Sequence, residues 1–395
     1  MPYQYQAYGI PIISDIELPA LVFLEEKLTA KPINVARGIV PDSLQNVPLA
    51  KKPFSTLNVH EFRFVIPSVA KYYVTNGEKI IIEPLCDNWD EILLYFYSNS
   101  IAAVLFQRNL IPFHVAGVFV DEQSVLLFAA PSRTGKSTTA LMLQQRGYAP
   151  FTDDTAVLTV QDGICYAQAS YPMMRLWQNT INQQTLLPEA DKMPVWADAE
   201  IDKYGFHFHE QFVAQKVRVA GIVFLEEAGT EITVGTLTQT QIMQLLGNNI
   251  YRGQWLTGMR KGRLQFELLT KICHNIKSYK ATRPQGTATF EAFAETIEKH
   301  IINQLTKMTY EINSDKILFT QLGDEGVLYG IETNEYLTLN ETYFKILQGV
   351  EQGKTQTEIV TNLCQEYDID HKQCETEVAE ALQILAEKQY ISTLV

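Results

Sequence analysis

Apolar and polar residues alternate with a period of two through YQYQAYGI (residues 3–10) and EFRFVI (61–66), the spacing of half-buried strands. KYYV and KIII flank Thr-Asn-Gly-Glu, so a hairpin is predicted around Asn76-Gly77. Strands joined by turns are therefore expected up to about residue 86. From Asn88 the period changes. Asn88 as N-cap, with Glu91 three positions on, is a capping-box pattern that opens a helix through ILLYFYSNSIAAVLF (92–106). Residues 111–306 then alternate strand-like runs (HVAGVFV, VLLFAA, VRVAGIVFL) with helical ones such as TATFEAFAETIEKHIINQL, an α/β pattern. Residues 178–215 are polar and irregular, as expected of a mobile loop or lid. The last part begins again with strands: KILFTQL, a GDEG turn, GVLYGI and YLTL. Three helices should follow. The first is ETYFKILQGVEQG, with Gly349 and Gly353 ending it; Thr355 or Thr357 opens TEIVTNLCQEY; the third is HKQCETEVAEALQILAEKQ. The predicted division is a β-rich N-terminal domain (1–87), an α/β catalytic domain (88–309) and a βββααα domain (310–395).

Composition narrows the class. A length of 395 residues fits two or three domains, and 46% hydrophobic with 19% charged residues excludes a mainly disordered chain. Five cysteines without a CxxC suggest neither a disulfide framework nor structural zinc. The opening MPYQYQAYGI lacks the features of a signal peptide, and no window approaches the ~20 apolar residues of a membrane span. A cytoplasmic protein without membrane partners is expected. Net charge is −13, and residues 311–395 alone hold 16 Asp/Glu against 5 Lys/Arg. An acidic tail beside a near-neutral body argues against nucleic-acid binding; it is either a solvated surface or a face for a basic peptide.

The densest chemistry lies in SVLLFAAPSRTGKSTTALMLQQRGYAPFTDD, residues 124–154. An apolar strand runs through Ala130 and Pro131 into Ser132, Arg133, Thr134, Gly135, Lys136, Ser137 and Thr138, and a helix follows to Gly147, its expected C-cap. That is the strand, P-loop, helix context in which backbone N–H groups and the helix N-terminus cradle phosphate oxygens. Residues 132–138 are the predicted nucleotide-binding set: Lys136 would reach the β/γ-phosphates and Ser137 would ligate Mg²⁺. Ala130 stands where the GxxxxGK[ST] pattern has its first glycine. A short strand should then carry Asp153 and Asp154 to its end. Adjacent side chains on an extended chain point opposite ways, so one carboxylate can face Mg²⁺ while the other takes a proton from an attacking hydroxyl. At the level of sequence the two roles are interchangeable. His207 and His209 alternate beside Glu210, but no third well-placed ligand is evident and no metal centre is predicted there. A contact of Lys203, in the same segment, with ATP or peptide is preferred to a metal role for this stretch.

His114-Val-Ala-Gly117, the loop SRTGKST, the helix ending QQRGY and the TDD that follows resemble the catalytic domain of HPr kinases. They are still more similar to the HPr-kinase-related kinases of peptide-modification gene clusters, and QYQAYGIPIISDIELPAL resembles the N-terminal segment of those relatives. The resemblance spans roughly residues 1–306 and is most specific over 112–154. It implies a P-loop fold like that of phosphoenolpyruvate carboxykinases and transfer of phosphate from ATP, with Mg²⁺, to a serine hydroxyl. The resemblance places Lys136, Ser137 and the Asp153/Asp154 pair in the active site; the working assignment takes Lys136 as phosphate contact, Asp153 as base, and Ser137 with Asp154 as metal ligands, with the two aspartates still exchangeable. His114 matches the family's histidine, in phosphate contact or orientation of a carboxylate. Arg175, in YPMMRLWQ, is the candidate for charge on the transferring group. The glutamate- and glycine-containing signature of the HPr kinases proper is not found after residue 154, which turns the expectation away from HPr as substrate.

Residues 312–395 resemble the PqqD-like domain that binds leader segments of ribosomally made, modified peptides. The resemblance rests on DEGVLYGIETNEYLTLNETYFKIL, GVEQGKTQTEIVTNLCQEYDID and a last helix ending in KQYI. A small sheet backed by helices offers a strand edge to which an extended peptide can add, with the helix over 374–388 as the other wall. The competing assignment, a winged-helix-like module for dimerisation or DNA binding, sits poorly with the tail's acidity. The expectation is an ATP/Mg²⁺-dependent kinase acting on a precursor peptide held by its leader. A nucleotide-gated leader-binding protein without transfer, or a small-metabolite kinase, is the alternative, and assembly into a homo-oligomer is left open.

Overall fold

A computed structural model describes residues 2–25, 28–177, 193–194, 203–209, 212–286, 289–305, 309–323, 325–367 and 369–394. The chain divides into two compact units, residues 1–302 and 303–395.

The first unit is mixed α/β. Its N-terminal part is a nine-stranded sheet in which the hairpin Ala70–Thr75 / Lys79–Pro84 occupies the middle. The expected turn is there: Asn76 and Gly77 take φ of +54° and +66°. Asn88 caps the following helix, Trp89–Tyr95, by accepting from the Glu91 N–H at 3.3 Å. A π-helical turn, Phe96–Ser100, joins it to Ile101–Gln107, every residue of which but the last is buried.

The central sheet is built around Ser124–Ala129, a strand buried at all six positions. A continuous apolar run of this kind is what a strand covered on both faces requires. It pairs in parallel with Val217–Glu227 on one side and antiparallel with Val115–Phe119 on the other, and Pro150–Thr152 lies beyond the latter. Val217–Glu227 pairs further with Lys277–Arg283 in parallel. The carboxyl ends of three parallel strands, 124–129, 217–227 and 277–283, thus open on one edge, where α/β sheets place ligands. One hydrophobic core runs from Tyr5 and Ile12 of the N-terminal sheet to Leu127 and Ile222 of the central one. The stretch 178–215, expected as a loop or lid, lies for its greater part outside the described residues.

In the second unit Ile317–Leu322, Glu325–Gly330 and Glu335–Leu339 form an antiparallel sheet with Glu325–Gly330 in the centre. Helices Glu341–Glu351, Gln356–Tyr367 and His371–Glu387 follow, giving the β-β-β-α-α-α order. Thr355, rather than Thr357, opens the second helix: its hydroxyl accepts from the Glu358 N–H at 3.2 Å while Glu358 Oε2 accepts from the Thr355 N–H at 2.9 Å. Gly349 lies inside the first helix, where a Cβ would meet Ile359 at 2.6 Å, and Gly353 ends it at φ +68°. One element is added. Thr309–Ile312 pairs with Ile391–Leu394, joining the two ends of the unit. Ile317, Leu328, Ile346, Leu347, Leu363 and Leu382 lie in its core.

Candidate active site

The loop after Ser124–Ala129 turns through Arg133 at φ +71° and Gly135 at φ +101° into the helix Lys136–Gln145. Gly135 is required twice over. Its φ is costly for any residue with a side chain, and a Cβ there would lie 2.6 Å from the Phe290 ring. The intrahelical ladder begins with Thr139 N–H to Gly135 O at 2.8 Å, so the preceding amides face the loop end, the arrangement that receives anions. Lys136 is buried and its Nζ donates to Ala130 O at 2.8 Å, folding the ammonium back across the loop. Ser137 and Thr138 are half-buried on the first turn, and Ser132 and Arg133 are exposed. Gly147 follows the helix at φ +102°, as expected of its C-terminal stop.

Register brings the remaining candidates to this loop. Val115 is opposite Ala129, which sets His114 level with the start of the loop; Gly117 is opposite Thr152, which sets Asp153 and Asp154 at the same end of the sheet. Three neighbouring strands therefore deliver His114, the loop and the aspartates together. The strand ends at Thr152, so the aspartates lie in a bend rather than on the extended chain expected of them; Asp153 is 4% exposed and Asp154 half-buried. Thr152 Oγ1 donates to Thr155 O at 2.9 Å, closing a turn around both carboxylates. The His114 N–H donates to Asn249 O at 2.7 Å, and its ring lies 6.0 Å from that of Tyr251. Arg175 lies in the strand Met173–Trp177, opposite Gly205, and that strand runs alongside the loop's helix. His207 closes the strand Lys203–His207, His209 is exposed beyond it, and Glu210 lies outside the described residues.

Two features of the site, one arginine and one cleft, carry no sequence signature. Arg283, 3% exposed, ends Lys277–Arg283 with a guanidinium 3.8 Å from the centre of the Phe290 ring; its Nη1 donates to Gly286 O at 2.9 Å, and Nη2 is 3.5 Å from Thr134 O. Burial lowers its pKa, and the Glu227 carboxylate, 3.3 Å away, opposes that shift. It buttresses the loop from beneath. A cleft of about 580 Å³ opens beside it, lined by Pro131 and Thr134 of the loop, by Glu226, Glu227 and Lys280, and by Gln241, Gln244 and Asn248 of one helix. The acids there are matched, Glu226 by Lys280 at 2.5 Å and Glu227 by Arg283.

The donors suit a hard divalent cation. A serine hydroxyl and a carboxylate would hold Mg²⁺, which takes few protein ligands and completes its shell with water and phosphate oxygens. Among the described residues no group of three or more His, Cys, Asp and Glu is gathered to bind a metal by itself. Nor is any described helix long and apolar enough to cross a membrane.

Residues 325–391 match the family described as coenzyme PQQ synthesis protein D. Similar solved structures include TbiB1 in complex with the TbiA(beta) leader peptide, 30% identical over 22% of this chain and 98% of that one, with a TM-score of 0.20. Lasso peptide synthetase B1 complexed with its leader peptide is 23% identical over 21% of this chain and 96% of its own, also at a TM-score of 0.20. The Hpr(Ser) kinase/phosphatase from Coxiella burnetii is 11% identical over 49% of this chain and 97% of its own, at a TM-score of 0.25. No curated protein matches the chain. The C-terminal unit contains a PqqD domain, joined in one polypeptide to the α/β unit that carries the strand, loop and helix.

Proposed function

We propose that this protein is an ATP- and Mg²⁺-dependent kinase that phosphorylates a serine or threonine hydroxyl of a ribosomally synthesised precursor peptide, with its PqqD domain holding the leader. The observation that carries this reading is the meeting of His114, the loop Ala130–Gly135 and the Asp153–Asp154 turn at one end of three adjacent strands. Loop amides and the helix N-terminus bind the donor's phosphates, and Lys136 stabilises negative charge on the group in transfer. Asp153 takes the proton of the attacking hydroxyl as its oxygen bonds to phosphorus and the bond to the nucleoside diphosphate breaks. Mg²⁺, held by Ser137 and Asp154, would neutralise charge on the phosphates. Arg175 is assigned to the same developing charge, and His114 to orienting a carboxylate or a phosphate.

The PqqD domain supplies the second half. Its two edge strands carry exposed apolar side chains, Leu318 and Leu322 on one, Tyr336 and Leu337 on the other. An extended leader that pairs with either edge gains main-chain hydrogen bonds and apolar contact together. The test is intact-mass analysis of the precursor after incubation with the protein, ATP and Mg²⁺, with and without its leader. A leader-dependent gain of about 80 Da, one phosphoryl group, is expected, and Lys136→Ala should lose it while still binding leader. ATP and peptide both bound without a mass change would instead make the protein a nucleotide-gated binder. Turnover of a small metabolite without any peptide would remove the leader from the account.

A further inference from the structure

The N-terminal sheet sends one side chain to the aspartate turn. Its first hairpin, Tyr3–Ala7 with Ile10–Ser14, closes through Tyr8-Gly9, with Ala7 opposite Ile10. Both turn residues have positive φ, +53° and +67°, a geometry that ordinarily selects Asn-Gly. A bulky aromatic residue in that region is an outlier, and such outliers persist where surrounding structure holds them for a purpose. This one is held. The Tyr8 N–H donates to Ala169 O at 3.2 Å, and a Cβ on Gly9 would come within 3.0 Å of the Gln168 side chain.

The phenol is the informative end. Tyr8 is 8% exposed, and its hydroxyl lies 2.5 Å from Oγ1 of Thr155, itself 2% exposed. Thr155 follows Asp154, and its carbonyl is the group that Thr152 Oγ1 bonds. The turn bearing both carboxylates is thus clamped from inside by Thr152 and from outside by Tyr8, 147 residues away in sequence. Burial first, then the neighbouring Tyr171 phenol and the Asp154 carboxylate, hold the Tyr8 pKa well above its ordinary value. The group is a permanent O–H, suited to holding a position and unsuited to proton transfer.

We propose that Tyr8 is a positioning residue of the kinase, fixing the Asp153–Asp154 turn through Thr155, so that the N-terminal sheet is a working part of the active site. The proposal rests on the phosphoryl-transfer reading for its catalytic consequence, and on the clamp for its structural one. Two readouts separate them. In steady-state kinetics Tyr8→Phe should keep the KM for ATP within about twofold and lower kcat by about 10- to 100-fold, the scale of a displacement near 1 Å. Thr155→Val should do the same, and the double variant should be no slower than the worse single one, because both remove one bond. Hydrogen exchange should quicken over residues 150–158 in Tyr8→Phe and stay unchanged over 130–138.

Unchanged exchange over 150–158 overturns the proposal whatever the activity. In an active enzyme, unchanged kcat or additive losses overturn it too. A wild-type protein that phosphorylates no peptide defeats the kinase reading alone, and exchange then decides the clamp. If Tyr8→Phe does not fold, Thr155→Val carries the test from the other partner.

Discussion

Glu61 is 2% exposed, and the groups around its carboxylate are neutral donors: the Gln45 and Asn46 N–H groups at 2.8 and 2.9 Å, the Asn46 and Asn58 amides at 2.9 Å, and the Tyr73 hydroxyl at 2.5 Å. Burial by itself would raise its pKa; the hydrogen bonds from Asn58, Tyr73, Gln45 and Asn46 overcome burial and hold it at about 2, against an ordinary 4.5. The sign of the linkage follows. A depressed carboxylate pKa adds stability above the unfolded value, and that stability is lost as pH falls through the folded one. The window is therefore about pH 4.5 to about pH 2, and at 1.36 kcal/mol per unit the contribution is about 3 kcal/mol. Urea unfolding at pH 7, 4 and 3 should show the wild type losing stability across that window. Glu61→Gln should be weaker at pH 7 and flatter below it, since one end of an amide donates where the site offers only donors. Identical pH profiles for the two proteins would sink this account of the residue.

At the level of elements, the loop depends on Gly135 more than on any charge. Gly135→Ala imposes a side chain at φ +101° and drives its Cβ to 2.6 Å from Phe290, the ring on which Arg283 also rests. A loss of about 1–3 kcal/mol is expected from the backbone strain, and calorimetric titration with ATP and Mg²⁺ should show affinity lower by at least about tenfold, because the amides no longer converge. Native-like affinity in that variant would mean that nucleotide binds elsewhere. Such loops are legible in sequence because their requirements are local: glycine at one position, a helix start at the next, an apolar strand before. The Asn76-Gly77 hairpin, the Asn88 cap and the β-β-β-α-α-α order were legible for the same reason. Arg283, Tyr8 and the pairing of Thr309–Ile312 with Ile391–Leu394 were not. Each takes its meaning from a partner some 80 to 150 residues away, and neither an isolated arginine at a strand end nor a tyrosine in a turn has a pattern to betray it. Gly349 was misplaced as a helix stop because close approach to Ile359 is a tertiary reason for glycine that mimics a local one.

At the scale of the whole molecule, the proposed function would make two units in one chain a kinetic device. On that reading a peptide held by its leader on the C-terminal unit would meet the phosphate site at an effective concentration set by the chain between them, of order millimolar for short flexible connections. Core residues would then need little affinity of their own for the site, and one enzyme could accept many core sequences. Free leader peptide makes the distinction measurable on the intact protein. Added in trans, it should raise the apparent KM for the full precursor in proportion to its own occupancy while leaving kcat unchanged, and it should not inhibit the slow turnover of a leaderless core. If the leader instead switched the active site on, free leader would accelerate the leaderless core, as an allosteric activator must when it shifts the enzyme toward a competent state. Competition against the full precursor follows in either case, so the leaderless core decides: unchanged turnover identifies the PqqD domain as a holder of substrate, and acceleration identifies it as a switch.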